Sequence, residues 1–243
     1  MPSVLAVFAH PDESLAAGGL LARHAAGGAR TAVVTATWSA DSPRARDLAE
    51  ALRILGAGEP RMLGYADARV PRSAPDARRW VDAPLEDAVW LLVTHLREVR
   101  PEIVVTHDAY GGLTGHPDHL HTYRVTLLAA EAAGLGRLYP DSGPAWQPST
   151  LCLATHPHSA LPALRGLVGD RLAVHTVPDE HVTDRVDVTP WLDTKIAAVL
   201  AHRTEVERGA LPGLVAALTP AARHSLLATE WYTRRRLPSP ALS

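Results

Sequence analysis

The sequence predicts an α/β fold, Rossmann-like in layout, in which a mostly parallel sheet carries helices on both faces. Three observations predict it. Short apolar runs, Val4-Leu5-Ala6-Val7-Phe8-Ala9 first among them, alternate with segments of helical spacing through the 243 residues. These runs are continuous and do not alternate in polarity, as expected of strands covered on both faces. Glycines close the helical segments, Gly27-Gly28 after the first and Gly56 after the second.

The elements follow in order. Residues 4–9 read as the first strand and 14–26 as a helix through Leu15, Leu20 and Leu21. Thr31 to Trp38 is β-branched and reads as the second strand. Ser42-Pro43 opens a helix through Leu55, since proline suits a first helical turn. A short strand at Arg61–Leu63 precedes a polar loop over 66–82 that holds Pro71 and Pro75. Leu85–Val99 is amphipathic and helical, and Ile103–Thr106 is another buried strand. A Gly-rich loop over 107–117 leads to a helix from Pro117 to Ala133, and a second long loop spans 139–149. A strand at 150–155, a helix near 159–168 and a strand at 171–176 continue the alternation. Trp191–Glu207 and Thr219–Arg236 read as closing helices, the run Arg234-Arg235-Arg236 being a solvated helix end. The chain is expected to be a single domain over 1–243, with 178–243 as a C-terminal helical extension.

Composition removes several function classes. A formal net charge of −2 gives no electrostatic case for nucleic acid. The single cysteine, Cys152, sits in an apolar run, so neither a disulfide framework nor a cysteine-based zinc site is expected. No stretch approaches the roughly 20 apolar residues of a membrane span, and the first run is too short for a signal peptide. The expected setting is the cytoplasm, and homo-oligomerisation stays open.

In a parallel sheet, ligands collect beyond the carboxyl ends of the strands. That rule selects the loops at 10–14, 38–43 and 107–119, and two of these hold His-Pro-acid segments: His10-Pro11-Asp12-Glu13 and His116-Pro117-Asp118-His119. An acid before a helix is often only a cap. Two such segments at matching positions point instead to a metal. His, His and a carboxylate form the usual set for a catalytic zinc with a place left for water, and a spare acid nearby can take the water's proton. No Gly-x-Gly-x-x-Gly follows the first strand, which argues against a dinucleotide-binding dehydrogenase.

These residues resemble the PIG-L/LmbE-like zinc N-deacetylases. Ala9-His10-Pro11-Asp12-Glu13 with Gly18-Gly19 downstream is similar to the family's first motif, Ala-His-Pro-Asp-Asp. Gly115 to His119 matches its second, Gly-His-Pro-Asp-His, residue for residue. Weaker likenesses run through Arg44-Ala45-Arg46-Asp47, Leu63 to Asp67, Pro101 to Thr106, Lys195 and Ala201 to Thr204. The resemblance implies hydrolysis of an N-acetyl group on an N-acetylglucosaminyl-type small molecule, with Zn2+ or another divalent metal.

It also implies roles. His10, Glu13 and His119 would hold the metal, and Asp12 would be the general base. His116, protonated, would polarise the carbonyl or supply the amine's proton. Arg44 and Asp67 match sugar-contacting positions, and Asp118 and His202 would support the site from behind. Thr114 stands where some relatives have a tyrosine that helps hold the oxyanion, and Tyr110 is a tyrosine of the same loop.

The first motif departs from the family's. One acid is missing, and Gly18-Gly19 lies one residue closer to His10 than usual. Either Glu13 replaces the second aspartate and still reaches the metal, or the turn is altered and a weakened, sugar-binding relative results. An amidase of a thiol-sugar conjugate is the enzymatic alternative.

Overall fold

The computed structural model describes residues 1–169 and 173–238. Its strands are β1 (Val4–Phe8), β2 (Thr31–Thr37), β3 (Arg61–Tyr65), β4 (Ile103–His107), β5 (Thr150–Thr155), β6 (Asp184–Asp187) and β7 (Thr229–Arg236). The helices are α1 (Ser14–Ala26), α2 (Pro43–Leu55), α3 (Leu85–Val99), α4 (Pro117–Ala132), α5 (Leu161–Val168), α6 (Leu192–Leu200), α7 (Arg203–Glu207), α8 (Leu211–Ala217) and α9 (Pro220–Leu227). The described strands form one sheet in the order β3-β2-β1-β4-β5-β7-β6, parallel from β3 to β5.

Burial on β1 explains the two-sided cover. Leu5 and Val7 join a core with Leu92, Leu96 and Val125 of α3 and α4. Val4, Ala6 and Phe8 face the other way, against Leu20, Leu21, Leu48 and Leu52 of α1 and α2. The side-chain period of two thus gives each face its own core. Local signals set the helix ends. Ser42 caps α2 by accepting from the Ala45 N–H at 3.2 Å, and Gly56 closes it in the left-handed region at φ 71°.

The C-terminal third differs from its sequence reading. Thr219–Arg236 is not one helix: α9 stops at Leu227, and 229–236 forms β7, antiparallel to both β5 and β6. The run Thr-Glu-Trp-Tyr-Thr is β-branched and aromatic with a period of two, burying Glu230 and Tyr232, and this outweighs the helical propensity of the arginines that follow. Residues 178–243 are therefore not simply a helical extension, because β6 and β7 complete the sheet. Trp191–Glu207 breaks at Ala201-His202 into α6 and α7, where the buried His202 turns its ring to Ser14. The strand expected at 171–176 falls partly on 170–172, outside the described residues, and 173–176 form no strand.

Candidate metal centre and active site

Strand order reverses between β1 and β4, which lie side by side, and both histidine motifs leave the carboxyl ends of these two strands. Glu13 takes the N-cap position of α1 but makes no side-chain capping bond, so its carboxylate is free for other partners. In the second motif His116 itself caps α4, its Nδ1 accepting the Asp118 N–H at 3.2 Å, with Pro117 in the first turn. Gly111 and Gly112 sit at φ 76° and 63°, and a side chain at Gly111 would meet His119 Cβ at 3.3 Å. Only glycine lets this loop wrap so closely on the histidine.

Three donor atoms converge. His10 Nδ1 lies 2.9 Å from His119 Nε2 and 3.4 Å from Glu13 Oε1, and His119 Nε2 lies 3.0 Å from the same oxygen. Ligand atoms around a tetrahedral zinc with bonds of about 2.0–2.1 Å stand roughly 3.3 Å apart, so the triangle is of the right size. Glu13 reaches the cluster despite the shortened motif.

The outer contacts fix both rings. His119 Nδ1 donates to the Gly111 carbonyl at 2.9 Å, leaving Nε2 with its lone pair inward. His10 Nε2 faces Asp67 Oδ2 at 3.1 Å and Asp118 Oδ2 at 3.3 Å, leaving Nδ1 inward. Two imidazole lone pairs and a carboxylate oxygen then face one point, which calls for a cation. The electrostatics agree. Burial disfavours charge on His10, but hydrogen bonds with Asp118, Asp67 and Glu13 outweigh it and raise its pKa well above the usual value. Burial likewise opposes ionisation of Glu13, but charge on His119 and His107 outweighs it and holds the carboxylate well below its usual range. The residues fit a divalent metal.

Asp67 has a different contact from the expected one. It is buried, Oδ1 accepts the N–H groups of Arg69 and Val70 at 2.7 and 3.0 Å, and Oδ2 faces His10. Its carboxylate orients the His10 ring. Asp118, fully buried, accepts the Ala68 N–H at 2.9 Å beside the same ring, while its Oδ1 has no partner among the described residues.

Arg44 is also engaged inside the protein. Its Nη2 pairs with Asp12 Oδ1, its Nε lies 3.1 Å from Glu205 Oε1, and its guanidinium stacks over the Trp38 ring at 4.3 Å. Trp38 holds φ at 77°, uncommon for a bulky residue. Arg44 therefore grips the carboxylate expected to be the base. Glu205, buried and bound also to Arg208, is a member that the sequence reading left out.

His116 packs edge-on against His10 at 4.7 Å, and burial together with charge on His10 and His119 pushes its pKa down to about 4. His107 stacks on His119 at 4.1 Å with 6° between planes and accepts the Ala9 N–H through Nε2 at 3.3 Å, so it braces the His119 ring. His202 Nε2 bonds Ser14 Oγ at 2.9 Å at the start of α1, behind the site. His121 points away, against Trp80. Thr114 lines a cleft that begins at Glu13 and His119. Tyr110 does not line it; its exposed ring stacks on His175 at 6.0 Å.

Both the sequence and the fold have known relatives. The PIG-L family pattern, described as GlcNAc-PI de-N-acetylase, matches residues 5–130, more than half of the 243-residue chain. The 1D-myo-inositol 2-acetamido-2-deoxy-alpha-D-glucopyranoside deacetylase of Rhodococcus jostii (strain RHA1) is 38% identical over 239 residues, covering 84% of this chain and 81% of that protein. The enzyme of the same name from Streptomyces avermitilis is 34% identical over 94% of this chain and 90% of its own length. Among solved structures, N,N'-diacetylchitobiose deacetylase from Pyrococcus horikoshii superposes with a TM-score of 0.66 at 19% identity, covering 97% of this chain and 84% of that one. A zinc-inhibited form of a teicoplanin deacetylase gives 0.60 at 19% identity, covering 97% and 98%. At that identity the structures speak for the fold, and the sequence matches for the family: this chain belongs to the PIG-L, or LmbE-like, family.

Proposed function

We propose that the protein hydrolyses the N-acetyl group of an N-acetylglucosaminyl-type substrate, releasing acetate and a free amine, and that the metal held by His10, Glu13 and His119 is zinc. The observation that carries the reading is the triangle of donor atoms, 2.9, 3.0 and 3.4 Å on its sides. The relatives' inositol-linked N-acetylglucosamine is the first substrate to try. The reach of Glu13 supports catalysis over the weakened binding relative. We place the protein in the cytoplasm and treat the chain as one working unit. Among the described residues no helix is long and apolar enough to cross a membrane.

Zinc, when bound, lowers the pKa of water and polarises a carbonyl. The chain's own groups do the rest. Asp12, kept beside Arg44, accepts the proton of the attacking water. With Nδ1 accepting from the Asp118 N–H, the proton of His116 resides on Nε2. It therefore donates a hydrogen bond to the developing oxyanion. The proton needed by the departing amine comes from Asp12, which has just gained one.

The test is direct. Metal-depleted protein should release no acetate from the inositol-linked substrate, and stoichiometric zinc should restore release. Turnover that survives complete metal removal would sink the reading.

A further inference from the structure

Asp108 is a buried acid one residue beyond β4, at the root of the Gly-rich loop. Its carboxylate has three donors. Oδ1 accepts the N–H groups of Tyr110 at 3.0 Å and Gly112 at 2.9 Å, and Oδ2 accepts the Thr155 hydroxyl at 2.7 Å. The Asp108 carbonyl takes the N–H of Gly111, between these two, at 3.0 Å. Thr155 is itself buried, and it lies beside Asp108 because β4 and β5 run parallel with His107 opposite Ala154. One side chain thus ties the loop to the end of the sheet.

The bond to Gly112 has a consequence at His119. The N–H of Gly112 and the carbonyl of Gly111 belong to one peptide unit, and in a trans peptide these groups point in opposite directions. One end of the unit meets Asp108 Oδ1 at 2.9 Å, and the other accepts the His119 Nδ1 proton at 2.9 Å. A carboxylate, a peptide and an imidazole are therefore linked in series. The inner nitrogen of that imidazole, Nε2, lies 3.0 Å from Glu13 Oε1 and 2.9 Å from His10 Nδ1. Hydrogen bonds in such a chain polarise one another. An anion on the N–H makes the carbonyl a stronger acceptor, and that favours a proton on Nδ1 and a lone pair on Nε2.

The peptide needs holding. Gly111 and Gly112 have φ 76° and 63°, and without a Cβ neither residue is confined to one sign of φ. Were the unit to turn over, it would present an N–H to His119 Nδ1 where it now presents a carbonyl. The ring would then carry its proton on Nε2 and offer the other donors no lone pair there.

We infer that Asp108 is a positioning residue of the metal centre, acting on His119 through the Gly111–Gly112 peptide and setting which ring nitrogen carries the proton. This rests on the reading of His119 as a metal ligand. The effect of Asp108 reaches the metal only through the loop.

The experiment compares the full chain with Asp108→Ala, Asp108→Asn and His119→Ala. Zinc affinity is read by competition against a chelator, and ligand geometry by the visible spectrum of the cobalt-loaded protein. Asp108→Ala should bind zinc about tenfold more weakly, the lower end for an outer contact because a peptide intervenes, and should shift the cobalt bands. A loss of stability alone would leave those bands in place. Asp108→Asn keeps an oxygen for both N–H groups and should bind zinc more tightly than Asp108→Ala. In the zinc-loaded wild type, nitrogen NMR of isotope-labelled histidine should find the His119 proton on Nδ1, and in Asp108→Asn that proton should exchange with water faster. If His119→Ala binds zinc as the wild type does, the reading of His119 as a ligand fails. If it loses zinc while Asp108→Ala keeps wild-type affinity and cobalt bands, the inference fails and the reading stands. A His119 proton found on Nε2, or one that exchanges no faster in Asp108→Asn, overturns the inference even should Asp108→Ala fail to fold.

Discussion

Glu13 stands at the N-cap of α1, yet its carboxylate turns from the helix to lie 3.0 Å from His119 Nε2. The length of its side chain lets the carboxylate close the triangle with His10. Glu13→Gln should therefore keep the fold and lose zinc, with affinity down by more than about 100-fold, since even supporting residues cost 10–100-fold. Competition against a chromogenic chelator measures this. Unchanged affinity would show that Glu13 is not a ligand.

Asp12 and Glu13 are neighbours with separate tasks. Asp12→Asn should retain stoichiometric zinc while kcat falls by about 10²–10⁴-fold, the usual worth of a positioned base. Metal analysis and initial rates on one preparation check both halves, and near-normal turnover would remove Asp12 from the mechanism.

Asp67 holds His10 at 3.1 Å and is buried, so its loss should register at the metal. For Asp67→Asn we expect zinc affinity to fall about 10–100-fold, and saturating zinc to recover most of the activity. A large rise in KM at full metal occupancy would instead return Asp67 to the sugar.

Lys195 and Glu230 form a fully buried pair at 2.8 Å, and Glu230 also accepts the N–H groups of Gly19 and Leu20. Glu230→Ala strands a buried ammonium and should cost about 3–5 kcal/mol in urea unfolding. A loss under about 1 kcal/mol would mean that water reaches Lys195.

Gly19 is needed for space. A Cβ there would lie 2.5 Å from Val188 Cβ, in a residue that is itself fully buried. Gly19→Ala gains helix propensity but should still destabilise the protein, by about 1–3 kcal/mol, because packed cores tolerate little added volume. Thermal unfolding decides the sign.

The sheet from β1 to β5 and both histidine motifs were legible because local signals and long-range packing agree there. Continuous apolar strands, Gly stops and His-Pro-acid turns each point to the same layout. What the sequence hid was tertiary. Thr229–Arg236 reads as helix until β5 and β6 offer it a slot between them. Asp67 reads by resemblance as a sugar-contacting residue, and only the fold shows that two backbone N–H groups and His10 use its carboxylate. Arg44 and Glu205 meet across a distance in sequence that no motif spans.

The placement of β7 bears on the order of events during synthesis. The helix that follows Glu13 is clamped by Glu230 through Gly19 and Leu20, and by the Tyr232 hydroxyl at the Ala16 carbonyl. A nascent chain that has made both histidine motifs still lacks this clamp, and β6 has no neighbour to pair with until residues 229–236 emerge. The support behind the donor triangle is thus completed late, by a strand made more than a hundred residues after His119.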